Sequence, residues 1–236
     1  MPGYALTRHA VEVSGVAPLQ IRALLDNQQY ADPFGHAAAA GVSSAQWPLF
    51  GLLWPAGLHL ARALALRVVD PDESILELGC GLALASLVGH RRGAQVTASD
   101  CHPLAGNFLL ENLRLNALAP MRYCHGDWSD RIGPIHAPRV AGRFELIMGS
   151  DVLYERDEVG QLARFIERHA TPVGEILIVD PNRGHRAVFT RHMLAQGYAL
   201  TQTRLSEAPG GPCSARLLSF RRAPVAGPAD CASRGA

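Results

Sequence analysis

The segment that most constrains this chain is Ile75-Leu76-Glu77-Leu78-Gly79-Cys80-Gly81-Leu82-Ala83-Leu84-Ala85-Ser86-Leu87. It opens as a short apolar run, breaks at Gly-x-Gly, and resumes with apolar residues at helical spacing. That pattern is a strand, a tight turn and the start of a helix. Burying an unpaired carboxylate is costly, so Glu77 belongs near the strand's end, facing a partner. Gly79 and Gly81 permit unusual backbone angles and carry no side-chain bulk. A ligand can therefore approach that backbone closely.

The rest of the chain extends this unit into an alternation. Strands are expected at the 75–78 run, 94–99, 121–125, 144–148 and 175–180, with a final pair at 198–205 and 216–221. Helices are expected over 56–66, from the glycine turn to about His90, and over 103–116, 157–169 and 186–196. Strands alternating with helices make βαβ units. The expected fold is therefore α/β, Rossmann-like and doubly wound. Its sheet is mostly parallel and seven-stranded, with a C-terminal antiparallel strand pair and an N-terminal arm. Residues 1–45 are read as that arm, partly ordered, with a short helix over 19–25. Residues 46–222 form the domain, and 223–236, rich in Ala, Pro and Gly, a disordered tail. The segment Trp47 to Pro55 holds two Trp-containing pieces, each ending in Pro. Pro55 suits a first helical turn. Trp47 and Trp54 read as core anchors, and Trp54 alternatively as the cover of a ligand pocket.

Bulk properties narrow the class. With 48% apolar and 18% charged residues the chain supports a globular core. A net charge of +1 gives no global pull toward nucleic acid or anionic membrane. No apolar run is expected to reach the length that spans a bilayer, and no secretory signal is read at the N-terminus. The five cysteines lack Cys-x-x-Cys spacing. They read as free thiols in a cytoplasmic, reducing setting.

In doubly wound sheets ligands bind beyond the carboxyl ends of the strands. The polar residues gather there: Glu77, Gly79 and Gly81, then Asp100, then Asp127 and Trp128, then Ser150, Asp151 and Tyr154. Gly-x-Gly after a strand with an acid about twenty residues on is shared by several nucleotide folds. Asp100 fits a ribose-binding acid. Three details argue against a dinucleotide. Leu84 stands where the third glycine would be, Glu77 replaces an apolar residue, and its carboxylate would repel a pyrophosphate. A cationic ligand without phosphate suits the turn better, and S-adenosylmethionine is such a ligand. No phosphate-binding Gly-x-x-x-x-Gly-Lys-Ser/Thr and no Gly-x-Ser-x-Gly elbow is present.

Taken in order, Glu77-Leu78-Gly79-Cys80-Gly81, Asp100, Gly126-Asp127-Trp128 and Ser150-Asp151-Val152-Leu153-Tyr154-Glu155 resemble class I S-adenosylmethionine-dependent methyltransferases. More narrowly they resemble methyltransferase family 16, the seven-stranded protein-lysine methyltransferase group, whose bacterial members often carry a nicotinamide N-methylase-like label. The Asp-x-x-Tyr of Asp151 and Tyr154 is that group's motif, and Leu53-Trp54-Pro55 resembles its upstream Trp motif. The resemblance covers about residues 47–220. Ala83 departs from it, where many class I enzymes have a third glycine.

The resemblance implies S-adenosylmethionine as cofactor, held by Trp54, Gly79, Cys80, Gly81, Asp100, Asp127, Trp128 and Ser150. Glu77 would face the methionine ammonium. Asp151 and Tyr154 would orient the acceptor as the catalytic pair. The acceptor would be a protein lysine, with a small-molecule amine as the alternative. A non-catalytic module of the same fold is the second class of function. The expected protein is a monomer that binds neither nucleic acid nor membrane.

Other features have simpler readings. Cys101-His102 and Cys124-His125 could suggest a metal site, but buried thiols and loop-capping histidines account for them, and no metal is expected. Arg183, His185, Arg186, Arg191 and His192 read as a solvated basic face. Asp180-Pro181-Asn182 reads as turn chemistry.

Overall fold

A computed structural model of the chain describes residues 3–129, 137–206 and 214–222. Its centre is a seven-stranded sheet, built from β3 (Ser74–Leu78), β4 (Gln95–Asp100), β5 (Arg122–His125), β6 (Phe144–Ser150), β7 (Ala170–Asp180), β8 (Tyr198–Leu205) and β9 (Ala215–Arg222). The strand order is β5-β4-β3-β6-β7-β9-β8. Strands β5, β4, β3, β6 and β7 pair in parallel, and β9 pairs antiparallel with both β7 and β8. This is the expected α/β architecture with its C-terminal antiparallel pair. The order reverses between β3 and β6, so a crevice opens beyond their carboxyl ends.

The apolar strands follow from burial on both faces. Side chains alternate, so Ile75 of β3 joins one core layer while Leu76 and Leu78 join the other. Likewise Leu177 and Val179 of β7 face one layer, Ile176 and Ile178 the other. The first layer is covered by α2 (Pro55–Leu66), α3 (Leu84–Arg91) and α4 (Ala105–Leu115), the second by α5 (Gln161–His169) and α6 (Arg186–Ala195).

The N-terminal residues differ from expectation. Residues 19–25 do not form a helix. β2 (Leu19–Leu24) pairs antiparallel with β1 (Leu6–Val11). Leu19, Ile21 and Ala23 alternate into the core, the period of a strand. The outer edge of β2 is satisfied by amide side chains of α4 and its C-cap. Asn112 Oδ1 accepts the Arg22 N–H, and Asn116 Oδ1 the Gln20 N–H, each at 2.8 Å. A four-residue helix α1 (His36–Ala39) and two 3-10 turns, Ser44–Gln46 and Leu49–Gly51, lead into α2.

The stretch Ser44–Leu66 is, by length and composition alone, apolar enough to cross a membrane, which corrects the expectation that no run reaches that length. Here it is broken at Pro48 and Pro55 into those turns and the 12-residue α2. A helix of that length spans about 18 Å, against about 30 Å for a bilayer core. The loop expected over 131–142 is described only from Ala137, and that over 208–214 only at Ser214. The expected tail from Ala223 lies outside the described residues.

Candidate functional site

A cavity of about 360 Å³ opens at the β3/β6 switch point. Its floor is the turn after β3. Gly79, Gly81 and Ala83 all adopt left-handed backbone, at φ +56°, +51° and +59°. Ala83 thus takes the conformation that glycine adopts most readily. At Gly81 a side chain is excluded twice over, by φ and by the Phe50 carbonyl, which a Cβ would approach to 2.8 Å.

Two buried carboxylates hold this turn. Asp100, at the end of β4, accepts the Gly81 N–H through Oδ2 and the His102 N–H through Oδ1, both at 2.8 Å. It ties two loops together, and burial raises its pKa. Glu77, 2% exposed, accepts the Ser86 backbone N–H at 2.9 Å and the Ser86 hydroxyl through Oε2. The carboxylate therefore lies at the N-terminus of α3, where free N–H groups favour negative charge. Burial nevertheless pushes its pKa up to about 7, against the Ser86 hydrogen bonds. Burial also pushes the Cys80 thiol well up, so it stays protonated.

Most of the expected residues meet here. Trp54, Glu77, Gly79, Cys80, Gly81, Asp100, Trp128, Ser150, Asp151 and Tyr154 all line the cavity. Asp127 does not. It lines an adjoining smaller cavity that shares Trp128, Val152 and Tyr154 with the first, and its Oδ1 accepts the Ser129 N–H and hydroxyl at 2.8 and 2.6 Å. Trp54 is fixed by its indole N–H, which donates to the Leu49 carbonyl at 2.9 Å. Asp151 has φ +55°, rare for a residue with a side chain, and its N–H is held by the Val179 carbonyl.

The sequence reading missed Arg183. It is half-exposed, as a solvated face would be, but it is also paired. Its Nε and Nη2 donate to the two oxygens of Asp151 at 2.9 and 2.7 Å, and its guanidinium carbon stands 5.8 Å from the Trp54 ring centroid. The Asp180 turn aims it. Asp180, 1% exposed, accepts the Asn182 N–H at 3.1 Å and is clamped by Arg186 at 2.9 Å. Arg186 also donates to the Asn182 side chain. The only sequence signal was a polar turn directly after a strand on the ligand-binding edge.

Phe50 was unread, and His102 was read only as a loop-capping histidine. Their rings stack at 3.8 Å with a 12° tilt. The Leu104 N–H donates to His102 Nδ1, and burial pushes the ring's pKa down to about 3, so it is neutral near pH 7. Cys101 lines the cavity and Cys124 is buried. Among the described residues no group of three or more His, Cys, Asp or Glu is placed to hold a metal ion. In front of the cavity, the Gln46 amide donates to the Glu155 carboxylate and ties the N-terminal segment across the mouth.

Comparison with known proteins agrees with this geometry. A family model described as lysine methyltransferase matches residues 50–193, more than half of the chain. The electron transfer flavoprotein beta subunit lysine methyltransferase of Mus musculus is 29% identical over 181 residues, covering 71% of this chain and 65% of that protein. The chain thus spans just under two thirds of the length of this curated relative. The EEF1A lysine methyltransferase 3 of the same organism is 23% identical, covering 83% of this chain and 86% of that protein. Among solved structures, a T. thermophilus 16S rRNA N2 G1207 methyltransferase in complex with AdoMet and guanosine superposes with a TM-score of 0.59 at 16% identity, covering 93% of this chain and 51% of that one. A glycopeptide N-methyltransferase complexed with S-adenosyl-L-methionine gives 0.56 at 16% identity, covering 69% and 92%. These structural likenesses speak to the fold. With the family match over the cavity-bearing half of the sheet, the chain belongs to the lysine methyltransferase family.

Proposed function

We propose that this protein transfers a methyl group from S-adenosylmethionine to the nitrogen of a protein lysine side chain. The observation that carries the reading is the set Gly79–Gly81, Asp100, Trp128, Asp151 and Tyr154 lining one cavity in a chain of this family. The donor set fits the cofactor. Gly81 leaves its backbone bare because Phe50 forbids a side chain there. Two buried carboxylates, Glu77 and Asp100, line the deep part of the pocket, and the one lining guanidinium among the described residues, Arg183, is paired with Asp151, which suits a cationic, phosphate-free ligand.

When bound, S-adenosylmethionine supplies a methyl on a sulfonium, so that the C–N bond forms as the C–S bond breaks and its electron pair stays on sulfur. The protein's part is then positioning and exclusion of water. We assign Asp100 to the ribose hydroxyls and Glu77 to the amino-acid ammonium, supported by their burial beside the glycine turn. Cys80, Trp128 and Ser150 complete the cofactor's walls. Asp127 reaches the adenine side from the adjoining cavity. Asp151 and Tyr154 stand at the mouth, where they orient the acceptor nitrogen, Asp151 by accepting a hydrogen bond from it. Trp54 closes the same edge. We read the setting as cytoplasmic, supported by the free thiols of Cys80, Cys101 and Cys124. The chain acts as a monomer on a protein and binds no nucleic acid, the last supported by its net charge of +1.

The test has two arms. Calorimetry should show S-adenosylmethionine binding, with Asp151→Ala leaving its affinity within about threefold while labelled methyl transfer to protein falls at least about a hundredfold. Mass spectrometry of lysine methylation in cells with and without the protein identifies the acceptor. No cofactor binding by the purified chain would sink the reading. Label confined to small molecules would replace the protein acceptor with a free amine.

A further inference from the structure

At the mouth of the cavity the carboxylate expected to handle the acceptor is already paired. Arg183 grips both Asp151 oxygens, at 2.9 and 2.7 Å, and the Asp151 side chain is only 12% exposed. A planar two-point grip of this kind is held more rigidly than a single contact. The same guanidinium lies over Trp54, the aromatic wall nearest to hand. The turn that carries Arg183 is itself locked by buried Asp180 and by Arg186. So the carboxylate and the Trp54 face, two features that would attract an ammonium, are both engaged by one half-exposed cation whose turn is held from below.

This matters because an amine attacks through its lone pair, and a lysine free in water has a pKa of about 10.4. A lone carboxylate beside it would hold it as the unreactive ammonium. A carboxylate already balanced by a guanidinium exerts little net pull on an ammonium, so the charged form loses its advantage. Resting on the methyltransferase reading above, we propose that Arg183 is a positioning residue that keeps the acceptor amine neutral in the site by balancing Asp151. The carboxylate retains lone pairs to take a hydrogen bond from a neutral amine; the ammonium sheds its proton to solvent before transfer, and the methylated product carries the positive charge that leaves the sulfonium, with no proton passing through Arg183.

Other charged groups must be separated from this effect. At the mouth, Asp151, Arg183 and Tyr154 face the acceptor, with Asp180 and Arg186 behind them and Glu155 tied to Gln46. Deeper in the cavity are Glu77, Asp100, His102 and the thiols of Cys80 and Cys101. Of these Glu77 titrates near neutrality, but it stands where the amino-acid end of the cofactor is placed, not at the mouth. A ligand that carries that end with or without an acceptor arm cancels it.

The probe is an adenosyl analogue whose transferable methyl is replaced by a four-carbon chain ending in an amine, compared with S-adenosylhomocysteine. Affinities are measured by calorimetry from about pH 7 to about pH 10. In the native protein the ratio of the two affinities should rise at least about tenfold over that range, because only the neutral amine is accepted. In Arg183→Gln the freed Asp151 should hold the ammonium, and the ratio should change by less than about threefold. Arg183→Lys, which keeps the charge without the grip, should retain the rise. A flat ratio in the native protein, the same rise in Arg183→Gln, or an amine arm that abolishes binding would each overturn the role. If S-adenosylhomocysteine itself does not bind, it is the methyltransferase reading that fails.

Discussion

Glu77 and Ser86 are joined through one carboxylate oxygen, which accepts both the backbone N–H and the hydroxyl of the serine. The pair links the end of β3 to the first turn of α3 across the glycine turn. It leaves a buried acid at the base of the cavity with its pKa near 7.

The sign of the resulting pH dependence is fixed. Glu77 is more basic folded than its ordinary value of 4.5. Its contribution to stability is therefore full below that value and is lost as pH rises through about 7. A cationic ligand reverses the preference, because it favours the carboxylate. S-adenosylmethionine affinity should rise toward pH 7 and level off above it, with proton release on binding near pH 6.5. Calorimetry in two buffers of different ionisation enthalpy measures that release. Glu77→Gln should abolish it and weaken binding at pH 8.

Asp100→Asn should lower cofactor affinity by about tenfold or more, and should cost about 1–3 kcal/mol of stability. The asparagine can replace only one of the two acceptors that hold the Gly81 and His102 N–H groups. Denaturant unfolding read beside calorimetry checks both. An unchanged protein would mean that this carboxylate holds neither loop nor ligand.

Gly81→Ala should destabilise the chain by about 1–3 kcal/mol. Its φ is +51° and its Cβ would meet the Phe50 carbonyl at 2.8 Å. Thermal unfolding should show the loss even without ligand. Gly93→Ala, at a positive φ with open space around it, should cost less.

At the opposite end of the sheet, Glu175 is 9% exposed and accepts from Arg67, Arg221 and Ser219. Burial pushes its pKa up, but Arg221, Arg67 and Ser219 together hold it below the usual carboxylate value. Its contribution is thus present above 4.5 and is lost as pH falls through the lower folded value. Glu175→Ala should cost about 1 kcal/mol at pH 7, because Arg67 keeps its pair with Glu73 and the largely exposed Arg221 returns to water. The deficit should shrink in acid. Urea midpoints at pH 7 and pH 3.5 compare the two conditions.

Much of the architecture was legible because the physics is local. Apolar runs such as that of β3, broken by glycine and followed by helical spacing, announce a parallel sheet. The site residues at strand ends were legible for the same reason. Residues 19–25 were misread because Leu, Gln, Arg and Ala favour helices, while the partner β1 and the α4 amides that make a strand of them are remote in sequence. The start of α5 was placed at Asp157, four residues early. The Asp157 carboxylate instead accepts the N–H groups of Gln161 and Leu162, outside the helix it caps. Arg183 looked like surface charge because its partner, Asp151, lies 32 residues away. No periodicity encodes a contact of that kind.

The tie between Gln46 and Glu155 has a consequence for inheritance. Val42, Gln46 and Leu49 wall the cavity, yet they precede residue 50, where the family match begins. Selection for the shared reaction need not constrain them. Relatives could keep the same chemistry and diverge in what they admit, simply by exchanging this front panel. A chimera bearing the first 49 residues of a relative should therefore bind cofactor as before while changing which proteins it labels.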